Sequence, residues 1–407
     1  MRIVQKFGGS SVADLDRIRH VADRVAKRVR EGHQVAVVVS AMGDTTDDLL
    51  EMAHRLTPHP SLREIDMLLS TGEQISIALL SIALQQVGVD ALSLTGWQAG
   101  IRTESVHGKA RIREIDGTRL FEAFTRGEVP VVAGFQGLSA EGEITTLGRG
   151  GSDTTAVALA AAVQADLCEI FTDVKGVYTT DPRVVPRAQK LVSIAYDEML
   201  ELATLGAVVL HPRAVECAKY NGVKLTVRST FADEEGTTIK EERDMEKGLI
   251  VTGIAHDRHA LKVQVTGLDN DVKAISRLFG ALAQAKVNVD IIVQSERPQE
   301  RVSVAFTIDQ SDREIARQVL DRMQRDLSFT SFHFEEGLAK VSIVGAGMIT
   351  NPGVAAQMFS VMGEAEIPLK MISTSEIKVS CLVPEERALE AVRRLHTAFG
   401  LDAREEA

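Results

Sequence analysis

Residues 145–155 read TTLGRGGSDTT, and the reading of this stretch decides the fold. Gly148, Gly150 and Gly151 bracket a lone arginine, Arg149, and Ser152 and Asp153 precede the small apolar residues from Ala156 onward. Glycine accepts positive φ and lets a backbone approach a ligand closely, while Ser and Asp are good N-caps. The stretch therefore predicts a loop entering a helix, with Asp153 in a capping role. Such a helix start presents free N–H groups and about half a positive charge, so it attracts anions. A capped turn without a ligand fits the same residues, and both readings stand at this point.

The rest of the chain narrows the choice. At roughly 150 residues per domain, 407 residues predict two or three domains. Hydrophobic residues at 44% and charged residues at 25% are ordinary for a soluble globular protein, and no run approaches 18 consecutive apolar residues, so no membrane helix is expected. The start, MRIVQKFGG, lacks the apolar core of a secretory signal and predicts a cytoplasmic protein. Cys168, Cys217 and Cys381 are far apart with no CxxC, which argues against disulfides and a cysteine metal site and fits buried thiols in a reducing compartment. A net charge of −11 argues against a nucleic-acid partner, leaving small anions to be held by a few placed cations.

Outward from the glycine stretch, strands and helices alternate. The apolar run VAVVV within residues 34–42 is too uniform for a half-exposed strand and predicts one buried on both faces of a parallel sheet. Together with residues 3–7 and the amphipathic pattern of Leu15, Ile18, Val21, Val25 and Val29 it makes a βαβ unit. Helical patterns follow at 47–56 and 62–87, and short apolar runs at 90–94, 129–135, 167–172 and 223–227 predict further strands. The expected fold class is α/β, a largely parallel central sheet between helical layers. The charged stretch 231–247 reads as an interdomain linker. Beyond it the chain repeats: KVQVTG (262–267) answers KVSIVG (340–345), and RVSV (301–304) answers KVSC (378–381). Each copy reads as a small ferredoxin-like βαββαβ module, with its last strand hard to assign.

Other strand-to-helix junctions share the chemistry of the opening stretch. KFGGSS (6–11) offers Lys6 as a compact charge beside Gly8 and Gly9, although a plain glycine turn fits it equally. SAMGDTT (40–46) gives hydroxyls and N–H groups, and TDVKGVYTTDPR (172–183) gives Asp173, Tyr178, Asp181 and Arg183. Neither GxxxxGK[ST] nor GxGxxG occurs, so a P-loop and a Rossmann cofactor are disfavoured.

KFGGSSV, SAMGDTTD, STGEQ, TTLGRGGSDTTA and TDVKGVYTTDPR, in this order and followed by two repeats, resemble the aspartate kinases (aspartokinases), the monofunctional kind with two C-terminal ACT domains. The resemblance spans essentially the whole chain. It implies the amino acid kinase fold, an αβα sandwich at 1–245, with ACT domains at 246–335 and 336–407. It implies phosphorylation of the side-chain carboxylate of L-aspartate by ATP and Mg2+, giving 4-phospho-L-aspartate, the first step toward lysine, threonine and methionine. By resemblance, Lys6 and Asp153 are catalytic, and Thr45, Glu73, Arg149 and Ser152 bind aspartate. Lys6, Gly8, Gly9, Ser10, Thr172, Asp173, Tyr178, Asp181, Arg183, Arg228 and Ser229 surround the nucleotide, with no protein metal site assigned. Asp269, Asn288, Asp290 and Gln294 are implied to bind an effector, threonine or lysine, where ACT domains of two chains meet in a homo-oligomer or α2β2 assembly.

Some positions depart from the family pattern. Val208 stands where Lys or Arg is common in GAVVLHP, Lys175 where Asp is common, and LDNDV (268–272) where the first effector loop usually reads DxPG. Asn351, Pro352 and Gly353 keep that turn in the second copy. A start at Met245 would yield the regulatory half alone. Other amino acid kinases and a non-catalytic amino-acid sensor are the alternative readings.

Overall fold

The computed structural model describes the chain except residues 207–208, 242–248, 298–300 and 404–407, so the expectations at Val208 and Met245 lie outside the described residues. The chain forms two compact units. The first comprises Met1–Val177, Lys190–Thr204 and Val208–Arg243; the second holds the C-terminal region and takes in Tyr178–Gln189.

The first unit is built on an eight-stranded sheet in the order Ser193–Ala195, Thr237–Lys240, Leu225–Ser229, Leu167–Thr172, Arg2–Phe7, Gln34–Val39, Val129–Ala133, Ala91–Leu94. Its neighbours run parallel except Leu225–Ser229 against Thr237–Lys240. Every residue of the VAVVV run is buried, as expected of a central strand covered on both faces. The strand Arg2–Phe7 has Gln34–Val39 on one side and Leu167–Thr172 on the other, so the chain reverses its winding there and opens a crevice at the carboxyl ends. Val21, Val25, Val37, Val131, Ile77 and Leu80 form part of the core between sheet and helices.

Two expectations change. The stretch 231–247 is not all linker, because Thr237–Lys240 buries Thr237 and Ile239 and completes the sheet. A second, four-stranded sheet of Ile112–Ile115, Ile101–Thr103, Gln136–Leu138 and Ile144–Thr146 delivers the opening glycine stretch to its helix. Its strands are only three or four residues long and leave no period to detect.

The helix Leu62–Gln86 is long and apolar enough to cross a membrane by length and composition. It is a core helix nonetheless: Asp66 and Glu73 are buried in it, and Ile77, Leu80 and Leu84 pack under the sheet.

The second unit contains two four-stranded antiparallel sheets. One copy runs Ala260–Asp269, helix Val272–Gln284, Ile292–Arg297, Arg301–Asp309, helix Arg313–Leu327 and Ser331–Glu335, a complete βαββαβ module. The other runs Leu338–Val344, helix Val354–Glu364, Met371–Thr374, Lys378–Pro384 and helix Glu385–Ala398. Its fourth strand is Gly253–Asp257, which precedes the first copy and pairs with Leu338–Val344. The division at 335/336 is corrected accordingly: the first module is inserted into the second, and the borrowed strand covers an edge that would otherwise be open.

Candidate active site

The site begins at the carboxyl end of Arg2–Phe7. Lys6 Nζ lies 2.6 Å from Asp153 Oδ1, with each side chain only 12% exposed. That contact is an ion pair, and the same oxygen lacks an aligned hydrogen-bond donor. A Cβ on Gly8 would come within 3.4 Å of Lys6 Nζ, and one on Gly9 within 3.0 Å of the carbonyls of Ala41 and Gly43. The KFGGSS and SAMGDTT turns are therefore pressed together, and Gly43 N donates to Gly9 O across them. Ser10 is exposed in this turn, and Thr45 opens the helix Thr45–Leu56 with its hydroxyl donating to Met42 O.

The glycine stretch forms the predicted loop-to-helix junction, with one correction. The helix Gly151–Ala162 is capped by Gly150 at φ +67, without a side-chain cap, and Ser152 and Asp153 are buried in its first turn. Gly150 must be glycine twice over, because a Cβ there would also meet the His211 ring at 2.1 Å. Burial and the neighbouring Arg213 hold the His211 imidazole below its ordinary pKa, while Asp153 opposes them. Arg149 is exposed at the turn, and Ser152 lies against Gly134 at the end of Val129–Ala133.

Glu73 is 2% exposed in the middle of its helix. Its Oε1 accepts from Ala41 N at 3.2 Å, while Oε2 has no partner among the described residues, nor does Gln136 Oε1 beside it. Burial pushes the Glu73 carboxyl up to about 8, only partly opposed by the hydrogen bonds it accepts. Two buried acceptors thus lack a donor among the described residues. An ammonium group is the donor that would satisfy both and restore the charge on Glu73.

The residues expected around a nucleotide are less unified. Thr172 ends its strand with its hydroxyl donating to Asp173, and Ser229, its register partner in the neighbouring strand, is buried. Arg228 does not face these loops freely: its guanidinium donates to Glu169 Oε1 at 3.0 Å and to Glu234 O. Glu169 is 1% exposed and also receives Arg28 and Gln5, so Arg228 neutralises a buried carboxylate. Tyr178, Asp181 and Arg183 fall in the second unit, where Tyr178 is half-buried against an apolar core that includes Val185 and Val251. Asp181 takes a forked pair of bonds from Arg183, two residues on.

In the first ACT copy, Asp271 caps the helix Val272–Gln284, and Asp269 lies 3.6 Å from Arg301. Gln294 Nε2 reaches Asn270 at 3.5 Å, which joins it to the LDNDV loop. Asp290 is held at 2.5 Å by Lys340 of the second copy, while Asn288 is exposed.

Sequence reasoning missed Asp66, His107 and Arg213, which tie the loops bordering residues 148–151. Only Pro212 at a helix start hinted at that corner.

Comparison with known proteins joins these observations. An amino acid kinase family model matches residues 1–229, and an ACT domain model matches 263–324 and 341–399. The aspartokinase of Geobacillus stearothermophilus is 55% identical over 399 residues, covering 98% of this chain and 97% of that protein. The chain belongs to the aspartokinase family. Aspartokinase 2 of Bacillus subtilis is 53% identical, with 98% and 97% covered. Among solved structures, E. coli aspartokinase III in complex with aspartate and ADP in the R-state matches with a TM-score of 0.84 at 29% identity. The same enzyme with lysine and aspartate in the T-state matches with 0.75 at 29%; both comparisons cover 98% of this chain and 99% of the other. As an aspartokinase the chain is an aspartate kinase, with the amino acid kinase fold and C-terminal ACT domains that the motifs implied.

Proposed function

We propose that the chain transfers the γ-phosphoryl group of ATP to the side-chain carboxylate of L-aspartate, yielding 4-phospho-L-aspartate for the lysine, threonine and methionine branches. The observation that carries the reading is Glu73, a buried carboxylate with an oxygen in want of a donor. It receives the α-ammonium, and Arg149 meets the α-carboxylate as a two-pronged fork. Thr45 and Ser152 complete the amino-acid subsite.

The acceptor is ionised near neutrality, so the reaction needs no general base; its difficulty is bringing a carboxylate against a polyanion. Lys6, held by Asp153, bridges the phosphates, with N–H groups at Gly8, Gly9 and Ser10. The resemblance assigns Thr172, Asp173, Tyr178, Asp181, Arg183 and Ser229 to the nucleotide; Arg228 contributes by neutralising Glu169. Mg2+ neutralises phosphate charge and in kinases is held mainly by phosphate oxygens with one or two carboxylates. Asp153 in the first turn of Gly151–Ala162 and Asp173 just beyond Leu167–Thr172 are the carboxylates that would suit it.

Residues 1–245 form the catalytic domain, and the ACT modules after it bind an effector, threonine or lysine, through Asp269, Asn288, Asp290 and Gln294 in an oligomer of cytoplasmic chains. A trapping assay with ATP, Mg2+, aspartate and hydroxylamine tests the activity. Aspartyl hydroxamate is expected, and its absence in an active nucleotide-binding preparation refutes the reading.

A further inference from the structure

Asp66 is fully buried, yet no lysine or arginine pairs with it among the described residues. Its carboxylate accepts from Gly108 N at 3.1 Å and Thr146 Oγ1 at 2.5 Å and meets His107 Nδ1 at 2.7 Å. Burying a carboxylate is costly, and here it is offset by donors from the loop at 107–108 and the end of the strand Ile144–Thr146, which the acid thereby joins. On the other side, Arg213 donates to Leu147 O at 2.6 Å and Ala110 O at 3.0 Å. Ala110 N donates to Thr146 O at 2.9 Å between these two anchors. Residues 107–110 and 146–147 are thus zipped together and pinned at both ends. The turn that carries Arg149 rests on this assembly, since a Cβ on Gly148 would come within 3.0 Å of Gly108 O.

Asp66 and Glu73 stand seven residues apart on one helix, which places them on the same face about 10.5 Å apart along its axis. One rigid element therefore carries both the acceptor for an ammonium and the anchor of the loop that presents Arg149. We propose that Asp66 and Arg213 are positioning residues that fix the spacing between Glu73 and Arg149, and so hold the amino-acid substrate in register and select its reach. The proposal rests on the reading of Glu73 and Arg149 as amino-acid ligands.

The test is steady-state kinetics of the full-length enzyme with aspartate and ATP varied separately and L-glutamate as a competing acceptor. Asp66→Asn and Arg213→Lys are expected to raise KM for aspartate about 10- to 100-fold while KM for ATP stays within about twofold and the melting temperature is retained. The preference for aspartate over glutamate is expected to narrow in the same variants. Arg213→Ala is expected to regain aspartate affinity when guanidinium ion is added, with KM for ATP unmoved throughout, whereas a general loss of folding would move both. If Asp66→Asn does not fold, Arg213→Ala with and without guanidinium decides. Equal rises in both KM values, or no change in that for aspartate, overturn the proposal. Arg149→Ala separates the two levels: an unchanged aspartate KM there refutes the site reading itself. A raised KM in Arg149→Ala with normal Asp66 and Arg213 variants refutes the clamp alone.

Discussion

Glu73 and Asp181 are both acids assigned to a substrate, and they are held in opposite ways. Glu73 sits in the middle of a 25-residue helix, buried, with one oxygen unpartnered among the described residues and its carboxyl pushed up to about 8. Asp181 sits in a loop where bonds from Arg183 hold its carboxyl below the usual range, against the opposing effect of burial. The amino-acid end keeps an unmet demand in a rigid frame, and the frame meets the strain of keeping it. The loop answers its own charges before any ligand arrives. Substitutions at the first end should therefore be felt strongly and at the second weakly.

The largest effect is expected at Lys6, which belongs to the buried end. Lys6→Ala removes a preorganised cation and leaves Asp153 without its ion pair; kcat should fall about 10²- to 10³-fold, with a much smaller rise in KM for aspartate. Rapid-quench measurement of a single turnover checks it, and near-normal turnover would place Lys6 outside the chemistry.

Glu73→Gln comes next. Losing the partner of a buried ammonium should raise KM for aspartate about 10- to 100-fold. The pH dependence of the parent enzyme sharpens this. Between about 4.5 and 8 the folded, ligand-free protein keeps a proton on Glu73 that the unfolded chain releases, so this group's contribution to stability declines as pH rises through that window. Aspartate binding needs the ionised form. KM for aspartate should therefore fall as pH rises toward about 8 and level off above it, a slope that Glu73→Gln should abolish. Calorimetry in buffers of different ionisation enthalpy should detect the proton released on binding.

Gly150→Ala probes the rigidity of the frame itself. A Cβ there meets the His211 ring at a backbone conformation costly to L-residues, so a loss of about 1–3 kcal/mol in unfolding free energy is expected from denaturant titration. A stability within error of the parent would mean that the turn yields easily.

What was legible in the sequence follows the range of the interactions. The buried strands announced themselves by continuous apolar runs, and Leu167–Thr172 falls where it was expected. The side sheet did not, because three-residue strands carry no period. The strand Gly253–Asp257 reads like any short run, and its pairing partner lies beyond a whole inserted module. Lys6, Glu73 and Arg149 were legible only as ordered motifs, since Lys6 meets Asp153 across more than a third of the chain. Asp66 stayed hidden because its partners lie 41, 42 and 80 residues away. Arg228 was set beside the nucleotide only by resemblance, and a single sequence does not show that Glu169 on the neighbouring strand claims it.

The smallest effect is expected at Arg183. Its forked contact with Asp181 spans two residues in an exposed loop, and such pairs are typically worth about 0–1 kcal/mol. Arg183→Ala frees Asp181 to face a polyanion alone, so KM for ATP should rise only about two- to fivefold, with the aspartate KM and kcat unmoved. Raising the salt concentration should shrink even that difference, because an exposed pair is screened. A loss as large as that in Glu73→Gln would break the contrast between the two ends, since it would require Arg183 to leave Asp181 and hold phosphate as tightly as the buried frame holds the amino acid.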